Sequence, residues 1–233
     1  MFYYLYDPTY ILVVIAGLFS LWASYHVNST YKKYSHIRSM SGMTGAMAAE
    51  RILQSQGIYD VRIERVSGNL TDHYDPSSKV LRLSDSTYGN ASVAAVGVAA
   101  HECGHALQHA KGYAPLQIRG ALVPIANLGS SAGIILFMVG LFFYSSMGDA
   151  LLTIGIILFS AAVLFQLVTL PVEFDASARA VKLLESTGIL GQNEVRVTKK
   201  VLGAAALTYV AGAATAILQL LRLILIAGGR NRD

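Results

Sequence analysis

Two stretches without a single Asp, Glu, Lys or Arg constrain this chain most: residues 120–148 and 150–172, separated by Asp149. A helix rises about 1.5 Å per residue and a bilayer's hydrocarbon core is about 30 Å thick, so each stretch is long enough to cross it. The polar break Ser145-Ser-Met-Gly-Asp149 makes the pair a hairpin that leaves one side and returns to it. Two buried helices of a soluble all-α domain are the competing reading, and they would leave the pair with no polar face. Composition points the same way, with 54% hydrophobic and only 14% charged residues and a mean hydropathy of +0.48, values that belong to membrane proteins.

Tyr10 to Tyr25 forms a further apolar stretch, with Tyr3, Tyr4, Tyr6, Trp22 and Tyr25 placed as an aromatic belt. The first Lys is Lys32, and neither a basic leader nor a small-residue cleavage site precedes it, so the segment reads as a permanent anchor rather than a signal peptide. At the other end, Asn193 is placed to cap a helix beginning at Glu194, which continues through the charge-free residues 201–221 to Arg222. Basic residues fall between the first span and the hairpin and again from Arg179 to Lys200. The positive-inside rule then puts the N-terminus and the 145–149 turn outside. A full fourth span would leave Arg230 and Arg232 outside against that rule, the alternatives being a helix that stops short, tilts or turns back around Arg222; the 21 uncharged residues from Val201 favour a span.

The pI near 9.1 therefore marks cytoplasmic loops. No basic run with interleaved aromatics indicates nucleic acid. Residues 31–119 carry ten Lys and Arg and read as a small mixed α/β element. Thr44 to Gln56, stopped by Gly57, is an amphipathic helix. Val61 to Val66 and Lys79 to Leu83 are short strands, with turns at Gly68-Asn69 and Asp75-Pro-Ser-Ser78. Leu70 to Tyr74 reads as an edge strand on which an extended peptide can pair. Asp72 and His73 within it are candidate catalytic partners, though such residues more often stabilise turns.

His101-Glu-Cys-Gly-His105 follows. On a helix the two histidines stand one turn apart on one face and can share a Zn²⁺. Glu102 projects beside that metal, placed to take a proton from a water whose pKa zinc lowers to about 7. A core histidine beside a salt-bridged glutamate is the bland alternative for so short a pattern. Against it, Asn90 and Ser92 offer caps, small apolar residues fill 93–100, and no charge lies between Asp85 and Glu102. That is a buried helix delivering two histidines.

A catalytic zinc needs a third protein ligand and an open position. Cys103 lies round the helix from the histidine face, and His109 continues a straight i+4 series that cannot surround an ion. Glu173 is the better candidate and Asp175 its rival, on a helix for which Pro171 suits the first turn and Gly188 the stop. The hairpin would return Glu173 to the side of His101. Cys103 is the only cysteine, which excludes an intramolecular disulfide and fits a reducing compartment. A cysteine nucleophile with His101 or His105 as base is the lesser alternative.

Together, His-Glu-Cys-Gly-His-Ala-Leu-Gln (101–108), Glu-Phe-Asp-Ala-Ser-Ala-Arg-Ala (173–180), Leu-Thr-Asp-His-Tyr-Asp-Pro (70–76) and Ala-Leu-Thr-Tyr-Val-Ala (206–211) resemble the bacterial neutral zinc metallopeptidases of the YugP type. More distantly they are similar to the gluzincin membrane proteases of the HtpX and CAAX-prenyl-protease type. There, two motif histidines and a glutamate from a later E-x-x-x-D helix hold the zinc. The resemblance implies His101, His105 and Glu173 as ligands and Glu102 as base. The position four after Glu173 is Ser177 instead of Asp, so Asp175 or another group must orient a ligand here. Tyr209, His73 and Arg179 are candidates for the oxyanion donor.

The expected fold is a mainly α integral membrane protein with about four membrane helices and a small α/β zincin-like element carrying the HExxH helix. Its expected division is a membrane helix over 1–30, the zincin-like element over 31–119, the hairpin over 120–172, a third-ligand helix and connector over 173–200, and a C-terminal membrane helix and tail over 201–233. The expected activity is zinc-dependent endopeptidase at the cytoplasmic face of a bacterial plasma membrane, acting on membrane or membrane-associated proteins. A homo-oligomer or a scaffold partner stays open. A metal transporter would carry ionisable groups inside its spans, and the hairpin has none. A zinc-stabilised scaffold would keep the ligands yet have no need of Glu102.

Overall fold

The computed structural model describes residues 7–230. Its elements are α1 (Tyr10–Tyr34), α2 (Gly45–Ser55), β1 (Arg62–Val66), β2 (His73–Asp75), β3 (Val80–Ser84), α3 (Asp85–Tyr88), α4 (Val93–Ala110), α5 (Ala114–Phe142), α6 (Ser146–Ser186) and α7 (Gln192–Arg230). They form two compact units. One comprises described residues 7–23, 118–170 and 208–230, the other 24–117 and 171–207.

The first unit is helical. Helices α1, α5, α6 and α7 are each long and apolar enough to cross a membrane. Helices α5 and α6 approach closely because glycines face backbone: a methyl on Gly133 would lie 3.0 Å from the Gly155 carbonyl oxygen, and one on Gly129 would collide with that of Leu158. Phe137, Leu152, Phe159, Val163 and Leu223 fill the interior. Ile11, Leu18, Leu21, Ile135, Phe142 and Ile157 stay exposed, an apolar exterior suited to lipid. The chain does not turn back at Arg222, whose Nη2 lies 2.7 Å from Asp7 Oδ2. Helix α7 runs on to Arg230, which donates to the carbonyls of Gly140 and Phe143 and covers the Tyr144 ring. Its end therefore meets the α5–α6 turn. Tyr3, Tyr4, Tyr6 and Arg232 lie outside the described residues.

In the second unit β3 is central, parallel to β1 and antiparallel to β2. The β2–β3 turn is tied by Asp75, which accepts from the hydroxyls of Ser77 and Ser78. Those bonds hold its carboxyl well below the usual range. Helix α4 is the core of this unit. Val96, Ala99, Ala100, Cys103 and Leu107 pack with Ile52 and Leu53 of α2, Leu81 and Leu83 of β3, and Leu184, Ile189 and Leu202. Each fully buried aliphatic side chain of this kind contributes about 1.5–3 kcal/mol.

Two helix starts differ from the sequence expectation. No helix begins at Pro171: α6 passes through it without a break. A proline in a helix interior loses one hydrogen bond, a loss that long apolar helices of the membrane type tolerate. At the head of α7 the cap is Gly191 rather than Asn193. The Gly191 carbonyl accepts from Val195 N, and Glu194 reaches back to accept from Gly191 N at 2.9 Å. Glu194 also accepts from Met40 N at 2.7 Å, which satisfies a buried carboxylate.

Candidate metal centre

Ser92 starts α4, its Oγ accepting from Ala95 N at 3.2 Å. Small residues then allow close approach on two sides. A Cβ on Gly97 would come 2.7 Å from the Thr198 methyl, and one on Gly104 would collide with the Ala176 carbonyl oxygen of α6. The second contact sets the site, because Gly104 precedes His105 and Ala176 lies one helical turn beyond Glu173.

His101 Nε2 and His105 Nε2 lie 3.2 and 3.5 Å from Glu173 Oε2. The two rings meet edge to face with centroids 4.8 Å apart. Four-coordinate zinc with bonds of about 2.0–2.1 Å has ligand-to-ligand edges of about 3.3 Å. Both measured edges match that length, and the three ligand atoms all fall within 4.8 Å of one another. The donor set of two imidazoles and a carboxylate suits zinc and leaves a tetrahedral position over. Glu173 is nearly inaccessible, its side chain 3% exposed, whereas His101 retains 12%. Burial alone would lower the His105 pKa; its hydrogen bond to Glu173 and the charges of Glu102 and Glu173 outweigh that and raise it.

Behind these groups lies a second layer. Ser177 Oγ is 3.1 Å from His101 Nδ1, and Gln108 Oε1 is 3.0 Å from His105 Nδ1. Gln108 Nε2 donates to Val172 O and to Asp175 Oδ2, both at 2.8 Å. Arg179 Nε donates to Asp175 Oδ2 at 2.5 Å, and its guanidinium covers the Tyr113 ring. Asp175, the rival ligand, therefore faces Gln108 and Arg179 and is outside the three-residue cluster.

Glu102 is buried between the two histidines in sequence, and its charge acts on His105. Cys103 points elsewhere, its Sγ 3.6 Å from Ala49 O. Burial foremost, then Glu102, pushes its thiol well up, against a nucleophilic role. His109 is held by the Tyr74 hydroxyl at 2.8 Å. Burial, then Asp60 and Asp75, raises that phenol to about 12. Asp72 accepts from Ser84 N and Oγ and so fixes the chain between β3 and α3, while His73 is exposed. Tyr209 belongs to the helical unit. Sequence reasoning gave Gln108 and Tyr113 no role; the signals for Gln108 were its place at the end of the 101–108 stretch and its spacing of three from His105 on a buried helix.

The chain is 48% identical over 226 residues, 96% of its own length and 99% of the other's, to a Bacillus subtilis protein named "Putative membrane protease YugP". No solved structure matches. Residues 9–228 match the profile of the family described as "Putative neutral zinc metallopeptidase", and the chain belongs to that family.

Proposed function

We propose that this chain is a membrane-bound zinc metalloendopeptidase in which His101, His105 and Glu173 hold the metal and Glu102 is the general base. One observation carries the reading: ligand atoms of two histidines on α4 lie at about the edge length of a tetrahedral zinc site from one Glu173 oxygen on α6, and all three atoms fall within 4.8 Å of one another. Zinc bound there would supply Lewis acidity, lowering the pKa of a water to about 7 and polarising the scissile carbonyl. Glu102 takes a proton from the attacking water and later gives it to the leaving amine nitrogen, so the C–N bond breaks without expelling an amide anion. The burial of Glu102 keeps that proton from bulk solvent. The α4 helix and the three-stranded sheet beside it, in which β2 is an edge strand, support reading this unit as a zincin-like element.

Four apolar helices support substrates that are membrane or membrane-associated proteins, and the distribution of Lys and Arg supports a cytoplasmic site. The test is an unbiased comparison of new protein N-termini in membranes containing the wild type or Glu102→Gln. Membrane-protein cleavages present only with the wild type are expected. Identical profiles would leave a zinc-stabilised scaffold.

A further inference from the structure

The geometry points to Gln108 as a positioning residue that locks His105 in the one tautomer able to bind metal through Nε2. This rests on the proposed role of His105 as ligand and goes beyond it. The side-chain amide of a glutamine has two chemically different ends, and its neighbours decide which faces where. On one side stand the Val172 carbonyl and the Asp175 carboxylate, each 2.8 Å away. A carbonyl only accepts, and the Asp175 oxygen in question is already accepting from Arg179 Nε at 2.5 Å. The amide nitrogen, with two protons, must face both.

Gln108 Oε1 is then left 3.0 Å from His105 Nδ1. That oxygen can only accept, so Nδ1 must carry a proton, and Nε2 is the nitrogen that faces Glu173 and is left to give its lone pair to a metal. Gln108 itself is fully buried, with no water to compete for either end. The chain of constraint runs from Arg179 through Asp175 and Gln108 to His105. At His101 the partner is a serine hydroxyl, which can donate or accept and so selects no tautomer.

Zinc affinity tests this more directly than turnover, by chelator competition on the full-length chain in detergent, with thermal unfolding of the metal-free chain alongside. Gln108→Leu keeps the volume and removes both ends of the amide. It should weaken zinc binding by about ten- to hundredfold, the usual effect of losing an outer partner of a metal-binding histidine. The tautomer itself is read from the nitrogen-15 shifts of the His105 ring in the zinc-free wild-type chain at a pH where that ring is neutral, assigned against His105→Ala. Nδ1 should carry the proton. Wild-type affinity in a folded Gln108→Leu chain overturns the proposal. A neutral His105 ring protonated at Nε2 in the wild-type chain overturns it too, whether or not Gln108→Leu folds. His105→Ala separates the two levels: if it binds zinc like wild type, the ligand reading itself has failed.

Discussion

Ser177 Oγ stands 3.1 Å from His101 Nδ1, one helical turn beyond Glu173. The E-x-x-x-D pattern considered for the sequence would place an aspartate there, and here a neutral hydroxyl does the holding. Asp175 does not substitute for it, being engaged by Gln108 and Arg179. Ser177→Ala should therefore weaken zinc binding by about tenfold, the lower end of the range for outer partners, whereas Ser177→Asp should restore or exceed wild-type affinity. Chelator competition on both variants checks it. Equal affinity in Ser177→Ala would remove serine from the account.

At Gly104, α4 packs directly against the Ala176 carbonyl of α6. Gly104→Ala should destabilise the chain by about 1–3 kcal/mol or more through overpacking against a backbone that cannot rotate away. It should also move Glu173 from the histidines and so lower zinc content. Gly97→Ala meets only the Thr198 methyl, which can shift, and should cost less. Thermal unfolding and metal analysis of the pair give the ranking.

Glu173→Ala should abolish stoichiometric zinc, because it removes one of three ligand atoms. Asp175→Ala should retain one zinc per chain at saturating metal, since its carboxylate acts one layer out. Metal analysis of the purified variants decides between them, and the reverse pattern would make Asp175 the ligand.

The parts of this site that were legible in the sequence are those governed by local geometry. Histidines at i and i+4 share a face wherever a helix forms, and Ser92 with its run of small residues announces that helix. Long charge-free stretches likewise have few ways to fold. Contacts set by tertiary packing were not legible. Gln108 looks like any helical glutamine until Val172 and Asp175 are placed beside it. Pro171 follows a rule for soluble helices that α6 does not obey. The Gly191 cap depends on Glu194 folding back, a choice that Asn193 disguises.

Topology decides which proteins reach the site. In a Cys103→Ala background, a cysteine at Ser146 should react with a membrane-impermeant probe added from outside and one at Ser78 should not. The reversed pattern would put the metal centre outside. Within the helical unit Arg222 pairs with Asp7, and Arg230 with Asp149 and the end of α5. Under the proposed topology, internal pairing would offset the cost of placing these two arginines on the less favoured side of a spanning α7.

The most direct measurement is zinc content and hydrolysis of a quenched fluorogenic peptide, made on the same purified wild-type and Glu102→Gln preparations. Glu102 is not a ligand in this account, so both proteins should hold about one zinc per chain. Hydrolysis by Glu102→Gln should fall by about a hundredfold to ten-thousandfold, the usual effect of losing a general base. Equal turnover by the two zinc-loaded proteins would contradict the assignment of Glu102 as the base.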